Sequence, residues 1–142
     1  MPVLDASIVV EWVMPLPGGE AEERLLARLE SAGAELHAPH LLIQEVANAL
    51  LTGVRRGRWT PVAADDAFTT LDQLPLIRYS VNNDLERAWD LARRYDEHPF
   101  YDMVYVAAAE RLGTVLITSD QRLRDRIRRP ELVVGPDEWV PA

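Results

Sequence analysis

The apolar runs of this chain are short, and helical patterns separate them. Val3 to Asp5, Glu35 to Ala38, Leu76 to Tyr79, TVLIT (Thr114 to Thr118) and Leu132 to Val134 each read as a strand. Between them the periodicity predicts helices. Ser7 to Met14 is ended by Pro15, Pro17 and Gly18-Gly19, and Glu20 to Ala32 carries acids in its first turn and is closed by Gly33. Leu41 to Gly57 follows, and Thr60-Pro61 opens a helix to Leu74. Asn83 and Glu86 resemble a capping box for a helix to Tyr95. Tyr101 to Leu112 ends at Gly113, and Gln121 to Arg129 is short and basic. Strands that alternate with helices join in parallel, so the expectation is an α/β sandwich with a mostly parallel sheet of about five strands. At 142 residues, one domain over 1–142 is expected.

Composition removes whole classes of chemistry. There is no cysteine, which excludes thiol catalysis, disulfides and cysteine-ligated zinc. All 15 basic residues are arginine, so every mechanism that needs a lysine is excluded as well. The net charge of −8 argues against a broad basic nucleic-acid surface, yet it leaves room for a small acidic metal site flanked by arginines. Asp5 and Glu11 interrupt the first apolar run, no basic segment precedes it, and no 18-residue apolar stretch occurs. A soluble, cytoplasmic protein with no membrane partner is the expectation.

The acids at the strand ends carry the functional signal. Asp5 ends the first strand, and Asp120 follows TVLIT by two residues. In a parallel sheet both lie at the carboxyl edge, where open α/β folds bind ligands. Asp102 opens the helix that leads into TVLIT and shares a face with Val106 and Ala109. In Leu41 to Gly57, Ile43, Val46, Leu50 and Val54 form the apolar face, and Glu45, Asn48 and Thr52 gather on its flank. Acids from four segments can therefore reach one point. Bare carboxylates about 4 Å apart repel by roughly 4 kcal/mol at an effective dielectric of 20, and a divalent cation turns that repulsion into coordination. All-oxygen ligation suits Mg²⁺ or Mn²⁺. Ser7, Thr118 and Ser119 lie close enough in sequence to orient two of the acids or a metal-bound water.

The segments VLDASIVVEW, APHLLIQEVANAL and YDMVYVAAAERLGTVLITSDQRL, in this order and spacing, resemble PIN-domain ribonucleases of the VapC toxin type. The resemblance covers nearly the whole chain. It implies a PIN-like α/β/α sandwich with an acidic pocket that binds Mg²⁺ or Mn²⁺. It also implies catalytic and metal-binding roles for Asp5, Glu45, Asp102 and Asp120, with Ser7, Asn48 and Thr118 in support. The implied activity is endonucleolytic hydrolysis of RNA by a toxin that an antitoxin neutralises, and the family usually forms homodimers. Attack by water would leave 5′-phosphate and 3′-hydroxyl ends. A mechanism through the RNA 2′-hydroxyl needs a histidine acid and base, and His37, His40 and His98 all lie beside prolines or one residue from them, as strand ends or turns.

Substrate contacts are expected from Arg55, Arg56 and Arg122, members of two arginine clusters that could instead form a solvated face or internal ion pairs. Asp125 is expected to pair with Arg122 or Arg129, with an outer contribution to the acidic site as the alternative. Trp12, Trp59, Trp89 and Trp139 are expected to pack, with base stacking an alternative for Trp59. Other readings are a PIN-fold binding module without catalysis and a PIN nuclease of RNA maturation. A phosphoacceptor receiver domain fails for want of a lysine and of adjacent paired acids.

Overall fold

A computed structural model describes residues 1–142. The elements in chain order are β1 (Val3–Leu4), α1 (Ala6–Val13), α2 (Glu20–Ala32), β2 (Leu36–Pro39), α3 (Leu41–Arg55), α4 (Pro61–Gln73), β3 (Leu76–Tyr79), α5 (Asn82–Arg94), α6 (Phe100–Leu112), β4 (Leu116–Ile117), α7 (Gln121–Ile127) and β5 (Val133–Val134). All strand pairs are parallel, in the order β3-β2-β1-β4-β5. The sheet is thus wholly, not mostly, parallel.

Local chemistry sets most of the boundaries. Thr60 caps α4 by accepting from the Ala63 amide at 3.1 Å, with Pro61 in the first turn. Gly33 and Gly113 close α2 and α6 at φ of 60° and 64°, a conformation that glycine adopts without a side-chain clash. The capping box expected at Asn83 does not form. Helix α5 starts two residues earlier, at Asn82, with Val81 as its cap, and no side chain accepts from its first turn. TVLIT narrows to Leu116–Ile117 as a strand, but its ladder extends further, through Val3 N–H to Val115 O at 2.9 Å and Thr118 N–H to Val134 O at 2.9 Å.

Chain direction places the helices. From β1 the chain moves to β2 and then β3, and right-handed crossovers put α1 to α4 on one face. It returns across the sheet to β4 and β5 on the other side of β1, which puts α5, α6 and α7 on the opposite face. Contacts follow this division, with α1 against α2, α3 and α4, and α6 between α5 and strands β1, β2 and β4. Every residue of α6 from Met103 to Ala109 is buried, so this helix is central to the core. The gap between β1 and β4, where the connections diverge, is the topological switch point. No helix is long and apolar enough to cross a membrane.

Three of the four tryptophans pack as expected. Trp12 Nε1 donates to Glu22 O and Trp59 Nε1 to Leu50 O, each at 2.8 Å, and Trp139 is buried. Trp89 is the exception, 59% exposed on α5, because the inward face of that helix is filled by Ala88, Leu91 and Ala92. The Trp59 ring lies against Gly53 in α3, where a methyl group would overlap it. Gly53→Ala should therefore destabilise the protein by about 1–3 kcal/mol, although the same change at an open helical site stabilises. Urea unfolding would show the drop as a lower midpoint at unchanged slope.

Candidate active site

Two acids border the switch point, each held by the helix that follows it. Asp5 leaves β1 and caps α1, its Oδ1 accepting from the Ser7 amide at 3.1 Å and the Ser7 hydroxyl at 2.5 Å. Asp120 follows β4 and caps α7, accepting from the amides of Arg122 and Leu123 at 3.0 and 3.3 Å. A hydroxyl lattice ties the two turns together. Ser7 Oγ accepts from the Ser119 amide at 2.9 Å and lies 3.4 Å from Thr118 Oγ1, which accepts from the Asp120 amide at 3.0 Å. Ser7 and the fully buried Thr118 therefore brace both acids across the sheet gap.

The other two acids come from the helices on either side. Asp102 lies in the first turn of α6, its Oδ2 2.8 Å from His98 Nε2. Glu45, half-buried one turn into α3, accepts from Tyr105 Oη at 2.5 Å. Tyr105 is one turn beyond Asp102 in α6, so one helix supplies an acid and the donor to another acid.

Asp102 is the electrostatic centre of the group. Burial pushes the Asp5 carboxyl up to about 6, with Asp102 adding to the rise and the Ser7 and Thr118 hydroxyls opposing it. Burial likewise raises Glu45, with Tyr105 opposing and Asp102 adding. Asp102 is raised by its own burial and by Asp120, against the hydrogen bond and charge of His98. The Tyr105 hydroxyl is held far above its ordinary value by burial, then by Glu45, Asp5 and Asp102. Asp5 and Glu45 thus both feel Asp102, and Asp102 feels Asp120.

The donors are hard oxygens only, a set that suits Mg²⁺ or Mn²⁺. As the side chains stand, no three acids or histidines converge closely enough to ligate one ion. Each carboxylate is turned to a protein donor: Ser7, Tyr105, His98 or the amides of α7.

Outward from Asp102 and Asp120 opens a cleft of about 770 Å³, bordered also by His98, Pro99, Arg122, Asp125, Arg126 and Arg128. Arg122 is therefore at the site. Arg55 and Arg56 are not: they end α3, ten and eleven residues past Glu45, about 15 Å along the axis, and Arg55 donates to Thr52 Oγ1. Asn48 is exposed on α3, one turn from Glu45. Neither expected ion pair of Asp125 forms, because Gln121 Nε2 donates to it at 2.8 Å while Arg129 pairs with Glu110 and Glu131.

Residues missed at the level of sequence are Tyr105 and Glu22, while His98 enters there only as a candidate catalytic acid or base, not as a partner of Asp102. Tyr105 carried a usable signal, three residues after Asp102 on the same helical face. Glu22 carried none beyond its place in a first helical turn. It is buried in the fold, accepting from Ser119 Oγ at 2.7 Å through Oε1, and its Oε2 has no partner.

A parallel sheet with a switch point edged by acids and covered by an acid-bearing central helix is the architecture of the PIN domain. The chain belongs to that family, whose model matches residues 3–128. Ribonuclease VapC9 of Mycobacterium tuberculosis is 34% identical over 125 residues, 88% of this chain and 90% of that protein. Among solved structures, Mycobacterium tuberculosis VapC20, a sarcin-ricin loop cleaving toxin, superposes with a TM-score of 0.67 at 18% identity, covering 88% of this chain and 94% of that one. A toxin-antitoxin complex from Klebsiella pneumoniae gives a TM-score of 0.65 at 17% identity, covering 96% and 98%.

The buried Asp5 carboxyl links stability to pH. Because its pKa is higher in the folded protein, its contribution to stability is fully present below about pH 4 and is lost as pH rises through about 6. Keeping it ionised at pH 7.5 costs about 3 kcal/mol, at roughly 1.4 kcal/mol per pH unit of displacement. Asn at position 5 still caps α1 without the charge. In EDTA at pH 7.5, Asp5→Asn should be more stable than the parent by about 1–3 kcal/mol in urea unfolding, and the gain should shrink at pH 4.5.

Proposed function

We propose that this chain is a metal-dependent endoribonuclease, the toxin of a toxin-antitoxin pair, acting in the cytoplasm as a homodimer and neutralised by a small antitoxin protein. The observation that carries the reading is the lattice of Ser7, Thr118 and Ser119 that ties the Asp5 and Asp120 turns together at the switch point, with Asp102 adding to the rise of Asp5 and Glu45 and itself raised by Asp120. Similarity to ribonucleases of the VapC group over most of the chain supports it, and the toxin-antitoxin fold neighbours support the antitoxin partner.

In this reading Asp5, Asp102, Asp120 and Glu45 hold the cation. A bound Mg²⁺ or Mn²⁺ supplies a water of lowered pKa and positive charge for the phosphodiester. The protein does the rest. Ser7 and Thr118 keep the Asp5 and Asp120 turns in register, and Tyr105 holds Glu45 by one oxygen. Arg122, Arg126 and Arg128, along the cleft wall, neutralise backbone phosphates on either side of the cut. Asn48, exposed one turn from Glu45, faces solvent beside the acids, whereas Arg55 and Arg56 are too far along that helix to share the phosphate at the acids.

The test is cleavage of a mixed cellular RNA pool by purified protein with Mn²⁺ or Mg²⁺, beside an EDTA control, with the new ends sequenced. Discrete cuts bearing 5′-phosphate and 3′-hydroxyl ends are expected. Asp102→Asn keeps volume and removes charge, so it should lower the rate by more than the 10–100-fold typical of losing an outer-shell partner, at unchanged fold. Wild-type activity in that variant would overturn the assignment of the site. Arg122→Ala should weaken RNA binding across sequences and reduce its salt dependence by about one phosphate contact in a titration.

A further inference from the structure

His98 is buried, with 7% of its side chain exposed, yet it lies in a turn and not in a core helix. That turn is built at some conformational expense. Asp96 and Glu97 both adopt left-handed backbone, at φ of 57° and 58°, which is uncommon for residues with a side chain. Two such residues in succession reverse the chain between α5 and α6. The His98 amide then donates to Ala92 O and Tyr95 O, each at 3.2 Å, which closes the end of α5. From α7, Arg126 Nη1 donates to Tyr95 O at 3.1 Å and reaches Asp96 at 3.9 Å. The turn is thus pinned from two helices, and what it delivers is one imidazole nitrogen, 2.8 Å from Asp102 Oδ2.

We propose that His98 is a positioning residue for Asp102. Its Nε2–H occupies Oδ2 and fixes the carboxylate plane, so that Oδ1, which accepts no hydrogen bond from the protein, is the oxygen left for a divalent cation. This inference rests on the metal-dependent reading above. An ionised carboxylate only accepts, so Nε2 must carry the proton that is shared. A carboxylate held by one oxygen is restricted to one-oxygen ligation, which suits the octahedral, water-rich shell of Mg²⁺ or Mn²⁺. Ser7 on Asp5 and Tyr105 on Glu45 likewise each hold their acid through a single oxygen, but His98 is the only ring nitrogen in the set.

The test measures Mn²⁺ affinity by calorimetry and by electron paramagnetic resonance of free Mn²⁺, on full-length protein, with no substrate present. His98→Leu should weaken Mn²⁺ binding 10–100-fold with an unchanged far-ultraviolet circular dichroism spectrum. His98→Gln, whose side-chain N–H can reach the same oxygen, should return to within a few-fold of the parent. In an Asp102→Asn background the leucine change should have no further effect, because the acid through which it acts is gone. If the leucine variant fails to fold, His98→Asn, too short to reach Oδ2, takes its place beside His98→Gln. Parental Mn²⁺ affinity in a folded His98→Leu protein overturns the inference and leaves the metal reading intact. A glutamine variant no better than leucine overturns it too, since packing alone would then explain the effect. A parent protein that binds no Mn²⁺ overturns the metal reading and the inference together.

Discussion

Acidic side chains that repel one another are gathered at one edge of the sheet, and much of the structure serves to keep them there. Asp5 is buried against the sheet edge, Asp102 adds to the charge felt by Asp5 and Glu45, and Asp120 adds to that felt by Asp102. The fold offsets this with one or a few donors per acid and lets none dissipate its charge in an ion pair with arginine. That restraint is notable in a chain with 15 arginines, several of them in the same cleft. A guanidinium clamped onto Asp5 or Asp102 would stabilise the fold and remove the donor from other use. Functional sites commonly keep such an unrelieved cost.

Where stability alone is at stake, the arginines do pair. Asp84, buried in α5, receives both ends of the Arg111 fork at 2.8 and 3.0 Å. Arg87 and Arg129 converge on Glu110, which is lowered below its ordinary carboxylate range mainly by Arg87. These pairs join α5 to α6, and α6 to the chain beyond α7. Planar, two-pronged arginine suits this use better than lysine would. Their position matters because α6 carries Asp102 and Tyr105, and its buried small residues Ala107, Ala108 and Ala109 let it approach the sheet closely. Rigidity of α6 is therefore rigidity of the site.

The elements most legible from sequence were those with a local cause. Pro61 behind Thr60, Gly113 behind Leu112 and acids at the front of α2 report short-range sterics and hydrogen bonding, and those elements form where the pattern places them. Asn83 failed as a cap because a competing turn at Val81 started α5 sooner. Trp89 failed as a packing residue because amphipathic spacing cannot tell a filled face from one that still has room. His98 read as a turn residue and is one; what spacing could not convey is that the turn folds its ring back onto Asp102.

By itself, then, the sequence determined the alternation of strands and helices, the exclusion of thiol and lysine chemistry, and the placement of Asp5 and Asp120 at one sheet edge. These follow from backbone period, residue inventory and the polarity of a parallel strand, none of which needs distant contacts. Only the tertiary structure decided who holds each acid. The hydroxyl of Tyr105 reaches Glu45 from 60 residues away, and Ser119 reaches Glu22 from 97. It also decided that Arg122 stands in the cleft while Arg55 and Arg56 end a helix directed away from it. The physical reason is that a side chain's partner depends on helix rotation and crossing over many turns, and those are set by packing of the whole core.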